Sequence, residues 1–364
     1  MFKIIFTLDY EIHGNGEGSP LKLMVKPTSR MINLFDEYGA KLTILADIAE
    51  ILKFKEYKEQ TGHDEFFYDQ ILQQLIHAVE TGHDVQLHVH TSYFKSVYNK
   101  GNWKQHYPEY DLTRLKEKRI NEIIKIGKSY LESIIKPTNP EYACHVFRAA
   151  NWSMHPSKNI VNALIKNNIR IDTSVFKFGK RDELVKFDYS TAKNDLIPWP
   201  VSFNDICQSD PKGKLFEIPI YCEKKSILSF ITLNRIYRIS VGLMHRLGKN
   251  ENQSPKQTIK DISSKPNRKQ ILMNMINILF KKNAWKMDFN QCTGKQLIKG
   301  LLNAEKKYGH FTYDLPFVLI AHSKIFTRSN EKSLRSFLKF IVDNNERFSF
   351  GKFSDINLEN FNLG

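Results

Sequence analysis

The stretch Asp84–His90, DVQLHVH, alternates polar and apolar side chains with period two, as a strand with unlike faces does. Val85, Leu87 and Val89 fall on one face, and Gln86, His88 and His90 on the other. Just before it, Phe66–Glu80 (FFYDQILQQLIHAVE) spaces its apolar residues at helical intervals and stops at Gly82. The same rhythm extends in both directions. Phe2–Leu8 and Lys41–Leu45 read as buried strands flanking a helical stretch, Leu21–Tyr38. Leu115–Ile135 reads as a helix closed by Pro137, with further helices at Ser157–Asn167 and Lys332–Asn344. Cys144–Arg148, Ile169–Val175, Leu215–Ile220 and Phe317–Ala321 read as strands. Strands alternating with helices predict βα units around a parallel sheet, hence an α/β barrel or a doubly wound sheet.

Composition narrows the class. The 364 residues are 41% hydrophobic and 26% charged, enough for a sizeable core and incompatible with a disordered or collagen-like chain. Cys144, Cys207, Cys222 and Cys292 lie far apart with no CxxC pair, which argues against a zinc ribbon or a disulfide scaffold. The opening MFKIIFTLDYE lacks the features of a signal peptide, and the apolar runs at Ile227–Leu233 and Ile271–Phe280 are too short to span a bilayer. A soluble, cytoplasmic protein is expected. The net charge of +15 is concentrated, because Lys224–Lys299 holds about 16 Lys/Arg against 3 Asp/Glu. We read residues 224–287 as a basic, largely helical insertion within a single catalytic domain, residues 1–364. A solvated face, a packed lid and a docking surface for anionic lipid or a pyrophosphate-linked substrate all fit such a segment. Nucleic acid is not expected, since no phosphate-binding loop, Cys/His finger or RNP signature accompanies the charge.

In parallel α/β folds, active sites form at the carboxyl ends of the strands. Those ends supply Asp9 and Glu11 after the first strand, and His88 and His90 on the third. Arg148 and Asn151 follow the fourth, Asp172 and Ser174 the fifth, and His322 the last. Any one of them alone would pass as a helix cap, a turn residue or a hydrogen-bonded core histidine. Together they say more. His88 and His90, two apart on a strand, project from the same face, as two ligands of one metal must. A carboxylate from a neighbouring strand end would complete a three-ligand site with open positions, the arrangement of catalytic zinc.

The strings FTLDYE, GHDVQLHVH, FRAANW, IDTSV and FVLIAH, in that order and spacing, resemble the polysaccharide deacetylases of the NodB-homology type, carbohydrate esterase family four. The resemblance covers about Met1–Pro219 and Asp288–Phe353. It implies a distorted (β/α) barrel that hydrolyses acetamido groups of amino sugars with one divalent metal, usually zinc. The family's first motif is TFDD, a base followed by a metal ligand. Here TLDYE implies Asp9 as base and, by the Asp-x-Asp spacing of one branch, Glu11 as ligand past Tyr10. The second motif, usually HxxxH, has Ser92 at its last position. Relatives with HxH imply His88 and His90 as the other ligands. The third-motif arginine, which holds the base, implies that role for Arg148, with Asn151 and Trp152 standing in place of the usual Pro-Tyr. The resemblance further implies that Asp172 tunes a catalytic acid, His322, and keeps it protonated.

A cytoplasmic member would meet an acetylated amino sugar linked to a nucleotide or a lipid pyrophosphate, as in O-antigen, capsule or glycan assembly. Around Ser229–Leu247, apolar residues mixed with Arg235, Arg238 and Arg246 suit either an interfacial amphipathic helix or a helix packed on the barrel. Trp152, Trp199 and Tyr93 suit sugar stacking or core packing equally. Two other classes stay open: hydrolysis of a small cyclic amide on the same fold, and a non-catalytic glycan- or membrane-docking protein.

Overall fold

Nine strands form the central sheet of the computed structural model, which describes residues 1–12, 17–226, 228 and 282–362. The strands are β1 (Phe2–Tyr10), β2 (Leu42–Asp47), β3 (Asp84–Val89), β4 (Val146–Ala149), β5 (Ile171–Asp172), β6 (Trp199–Pro200), β7 (Phe216–Glu217), β8 (Leu315–His322) and β9 (Phe348–Phe350). Their spatial order is β6-β7-β5-β4-β3-β2-β1-β8, with β9 pairing the first residues of β1. All neighbours run parallel except β6 against β7. The sheet curls until its ends meet. Single parallel bridges from Ile220 to Val318 and from Asp288 to Ile320 bring the β7 side back against β8. The result is a barrel distorted at one seam, as expected.

The strands on either side of β1 explain its sequence. With neighbours along both edges and helices outside, FKIIFTLDY is buried almost throughout and shows no alternation. Phe6 centres an aromatic cluster with Phe35, Phe289 and Phe337, at ring-centroid distances of 4.6, 5.8 and 6.1 Å. Phe35 belongs to α1 (Lys26–Asp36), and Phe337 to the C-terminal helix Arg328–Asp343. Each fully buried aromatic of this kind contributes about 1.5–3 kcal/mol. Further helices cover the barrel: α2 (Ile48–Thr61), α3 (Tyr68–Glu80), α4 (Glu117–Ile135), α5 (Lys158–Lys166) and α6 (Gly294–Tyr308); the C-terminal helix is α7.

Two of these helices are additional to the sequence reading. α2 starts directly after the last residue of β2 with no intervening turn and stops at Gly62, whose φ of 74° only glycine adopts readily. α6 opens on a capping box, Thr293 with Gln296, a signal that stands in the string TGKQ. Conversely, β5 and β7 are two residues long where seven and six are expected. Buried carboxylates take over their ladder amides: Asp172 Oδ2 accepts from Ser174 N at 3.1 Å, and Glu217 Oε1 from Val175 N at 3.0 Å.

The basic segment falls largely outside the described residues, and with it Arg235, Arg238, Arg246 and the membrane-docking expectation. Its two ends, Cys222–Ser226 and Lys282–Lys286, pair as an antiparallel hairpin. Among the described residues no helix is long and apolar enough to cross a membrane.

The α6–α7 contact depends on one glycine. A Cβ on Gly294 would lie 2.3 Å from the Ser333 carbonyl oxygen, a backbone atom that cannot swing aside. Gly294→Ala should therefore destabilise the protein by about 1–3 kcal/mol, the usual cost of overpacking. Urea unfolding followed by circular dichroism measures this, and an unchanged midpoint would contradict the packing.

Candidate active site

Register brings the expected residues to one end of the barrel. Asp9 on β1 pairs with His322 on β8, and Asp47, His88 and Arg148 form a row across β2, β3 and β4. Asp9, Glu11, His88, His90, Asn151, Trp152 and His322 line one cavity of about 350 Å³, joined by Arg181, Asp288, Gln291, Lys324 and Ile325.

Glu11, His88 and His90 are all buried, with donor atoms close enough to share an ion. Glu11 Oε2 lies 3.1 Å from His88 Nε2 and 3.2 Å from His90 Nδ1. A tetrahedral ion with bonds of about 2.0–2.1 Å holds its N and O ligands about 3.3 Å apart, so these separations match. Protonation argues the same way. His88 Nδ1 donates to the Arg148 carbonyl at 2.9 Å, which leaves the Nε2 lone pair facing a carboxylate oxygen. Two acceptors in that position need a proton or a cation between them. Burial opposes charge on His88, yet Glu11, Asp9 and Asp47 raise its pKa to about 9. The surroundings favour positive charge where a divalent metal would sit, and the donor set fits one.

Tyr10 and Ser92, two of the departures from the motifs the sequence resembles, face elsewhere. The Tyr10 hydroxyl donates to Gln74 Oε1 at 2.8 Å, and Ser92 Oγ to Gln105 Oε1 at 2.8 Å.

Arg148 is wholly buried and donates through Nη1 to Asp9 Oδ1 at 2.7 Å, and through Nε to the Thr173 carbonyl at 2.9 Å. Burial alone would raise the Asp9 pKa. The charges of Arg148, His88 and His322 outweigh it and hold the carboxyl below its ordinary value. His322 Nε2 lies 3.5 Å from Asp9 Oδ2 and 3.9 Å from Glu11 Oε1.

Three expectations need correction. Asp172 does not pair with His322. Its oxygens accept from Ser174 Oγ and N, its carboxyl meets Glu217 on β7, and the Arg148 charge acts on it only at a distance. His322 Nδ1 has no hydrogen-bond partner among the described residues, and the cavity carboxylates acting on it are Asp9, Glu11 and Asp288. Nor is His322 kept protonated: burial lowers its pKa, and the ring is neutral near pH 7. Finally, Trp199 and Tyr93 belong to the core and line no part of the cavity. Trp199 Nε1 donates to the Ile206 carbonyl, and Tyr93 is fully buried behind Ser92. Trp152 does line the cavity, but Lys286 Nζ sits 3.2 Å from its ring centroid and masks one face.

Several residues were missed. Asp47 accepts from the His90 backbone N–H at 3.0 Å, and its other oxygen lies 2.9 Å from Nδ1, the same nitrogen that faces Glu11. It ends the string TILAD, and placing the end of that strand at Leu45 hides it. Lys324 Nζ donates to Glu11 Oε1 at 2.8 Å, and its position two residues past His322 was the available signal. Asp288 and Gln291 come from the edge of the insertion, where sequence gives no strand to anchor them.

No family model and no curated protein matches the chain. Among solved structures, a polysaccharide-deacetylase candidate from Mycobacterium smegmatis is similar over 99% of this chain and 89% of its own, at 14% identity and a TM-score of 0.49. The allantoinase Puue is similar over 97% and 88%, at 12% identity and 0.47. A family 4 carbohydrate esterase from Streptomyces lividans, in complex with acetate, is similar over 49% and 64%, at 11% identity and 0.29. Likeness at this level assigns no chemistry. The chemistry rests on the site's own geometry.

Protein purified without chelator should hold a divalent ion at Glu11, His88 and His90, and His88→Ala should lose it. Elemental analysis of both proteins, with circular dichroism as a check on folding, measures this. Equal metal content in the two would remove the assignment.

Proposed function

We propose that this protein is a metal-dependent hydrolase that removes an N-acetyl group from an amino sugar. The observation that carries this reading is the meeting, in one cavity, of an Arg-held carboxylate, a Glu-His-His donor set and a histidine 3.5 Å from that carboxylate. When bound, a divalent metal, zinc by the chemistry of the donors, supplies a more acidic water and a polarised carbonyl. Asp9, kept ionised by Arg148, is the base that removes the water proton. His322 is neutral at rest, so it cannot begin as the acid. It stands where it can accept the proton from Asp9 and pass it to the departing amine nitrogen. Water then supplies the hydroxyl of acetate and the proton of the amine, and the balance closes. Lys324, bound to Glu11, holds that carboxylate in place.

The wall favours a small acceptor. With Trp199 and Tyr93 in the core and Trp152 half-masked, the cavity offers room for about one sugar ring and, among the described residues, little stacking surface. A nucleotide- or lipid-pyrophosphate-linked amino sugar fits, with Arg181 in the cavity wall as the cation for the linked phosphate. The same scarcity of aromatic wall favours a second reading, opening of a small cyclic amide by the same residues.

Mass spectrometry of acetylated amino-sugar nucleotides, lipid-linked amino sugars and cyclic amides incubated with the protein tests the reading. Loss of acetyl from an amino sugar supports it, and ring opening alone would replace it with the second. Asp9→Asn and His322→Ala should each lower kcat by about 10²–10⁴-fold with metal content unchanged. Arg148→Ala should lower it less than Asp9→Asn, since Arg148 acts through Asp9. Full turnover in Asp9→Asn would mean a different base.

A further inference from the structure

Outside the cavity, a second group of unlike donors converges where the loop after β4 meets the loop after β6. His155 Nε2 lies 2.8 Å from Asp205 Oδ1 and 3.6 Å from Cys207 Sγ. We propose that His155, Asp205 and Cys207 form a second metal site, distinct from the cavity, that takes a zinc-class divalent ion and clamps these two loops together.

Geometry carries the proposal. Bonds of about 2.05 Å to nitrogen and about 2.3 Å to sulfur at a tetrahedral ion place N and S about 3.6 Å apart. The His155–Cys207 separation has that value without any ion-driven rearrangement. The matching N–O edge is about 3.3 Å, so Asp205 would withdraw by roughly half an ångström. Its side chain is 38% exposed and has the room. Imidazole with thiolate selects zinc over magnesium or calcium. Three protein ligands leave the fourth position to water on the open side, where His155 is 23% exposed.

The backbone bearing these donors is already fixed. Asp205 Oδ1 accepts from Cys207 N at 2.9 Å, Ser157 Oγ accepts from Ile206 N at 3.0 Å, and Trp199 Nε1 donates to the Ile206 carbonyl at 2.9 Å. The Tyr189 ring meets His155 at 5.3 Å, edge to face. Little ordering entropy remains for the ion to offset. Burial pushes the Cys207 thiol up to about 12, so binding displaces its proton, one released per ion.

Stepwise addition of Co²⁺ to the chelator-treated full-length protein tests this. A thiolate-to-cobalt charge-transfer band should appear in the wild type, persist in His88→Ala, and vanish in Cys207→Ser, with one fewer ion bound per chain. No band in the wild type overturns the proposal. So does a band that survives Cys207→Ser, which would trace it to Cys144, Cys222 or Cys292. If Cys207→Ser fails to fold, Asp205→Asn serves: the band should remain while Co²⁺ affinity at this site falls at least tenfold. Unchanged affinity there overturns the three-ligand site.

Discussion

Arg148 ties the two halves of the cavity together. Its guanidinium holds Asp9 on β1, while its own carbonyl receives the Nδ1 proton of His88 on β3. One residue of β4 therefore orients the proposed base by its side chain and a metal-ligand candidate by its backbone. The pair is wholly out of water, so each charge depends on the other. Removing one partner of such a pair typically costs about 3–5 kcal/mol, because the survivor is left buried and uncompensated. The bond to the Thr173 carbonyl passes the same constraint on to the chain beyond β5. The order β5-β4-β3-β2-β1 is thus also a chain of polar contacts, and a shift of any of these strands would be felt at the site.

In the direct ion pairs around the histidines, three carboxylates meet two fixed cations. Asp9, Glu11 and Asp47 face Arg148 and Lys324. Glu50, buried beside them, is raised to about 8 by burial and then by Asp47, so it stays protonated near pH 7. Its Oε2 still accepts from Ile12 N at 2.8 Å and steadies the exit of β1 beside Glu11. A surplus of negative charge in a dry pocket is expensive unless something balances it. The histidines can do so with protons, as the raised pKa of His88 indicates, or a divalent ion can do it while leaving the rings neutral.

What the sequence made legible follows from period and position. Two histidines two apart on a strand share a face, and strand ends in a parallel sheet share a rim. Those rules placed Asp9, Glu11, His88, His90, Arg148 and His322 without knowledge of the turns between them. They fail where a side chain's direction is set by tertiary contacts. Asp172 ends its strand much as Asp9 stands near the end of β1, yet it turns back to Ser174 and Glu217, where two buried acids cut their strands short. Tyr93 and Trp199 have the right ring for a sugar wall, but only the packed barrel shows that both face inward. Asp288 reaches the cavity through a bridge to Ile320 at the barrel's seam, a contact between segments with no periodic signal to pair them.

Among the described residues the aromatic ring in the cavity wall is Trp152, and it is held in a conformation the chain would not choose alone. Asn151 and Trp152 both adopt left-handed backbone angles, with φ of 54° and 55°, at a cost of order 1–3 kcal/mol each. Such a pair persists only where its surroundings over-determine it. Here Tyr189 supplies the lock, its hydroxyl donating to the Trp152 carbonyl while accepting from Met154 N. Ser153 Oγ donates to Asp111, and Arg181, on the antiparallel pair Lys180–Asp182 and Lys186–Asp188, donates to the Asn151 side chain. The indole then meets Phe176 edge-on and Lys286 over its face, so neither ring rotation nor loop motion is free. The wall is rigid, and its exposed side is set before any substrate arrives. Selectivity in such a cavity comes from shape and from the charges of Arg181 and Lys324 in its wall and of Lys286 over the Trp152 ring, with little left for adaptive stacking.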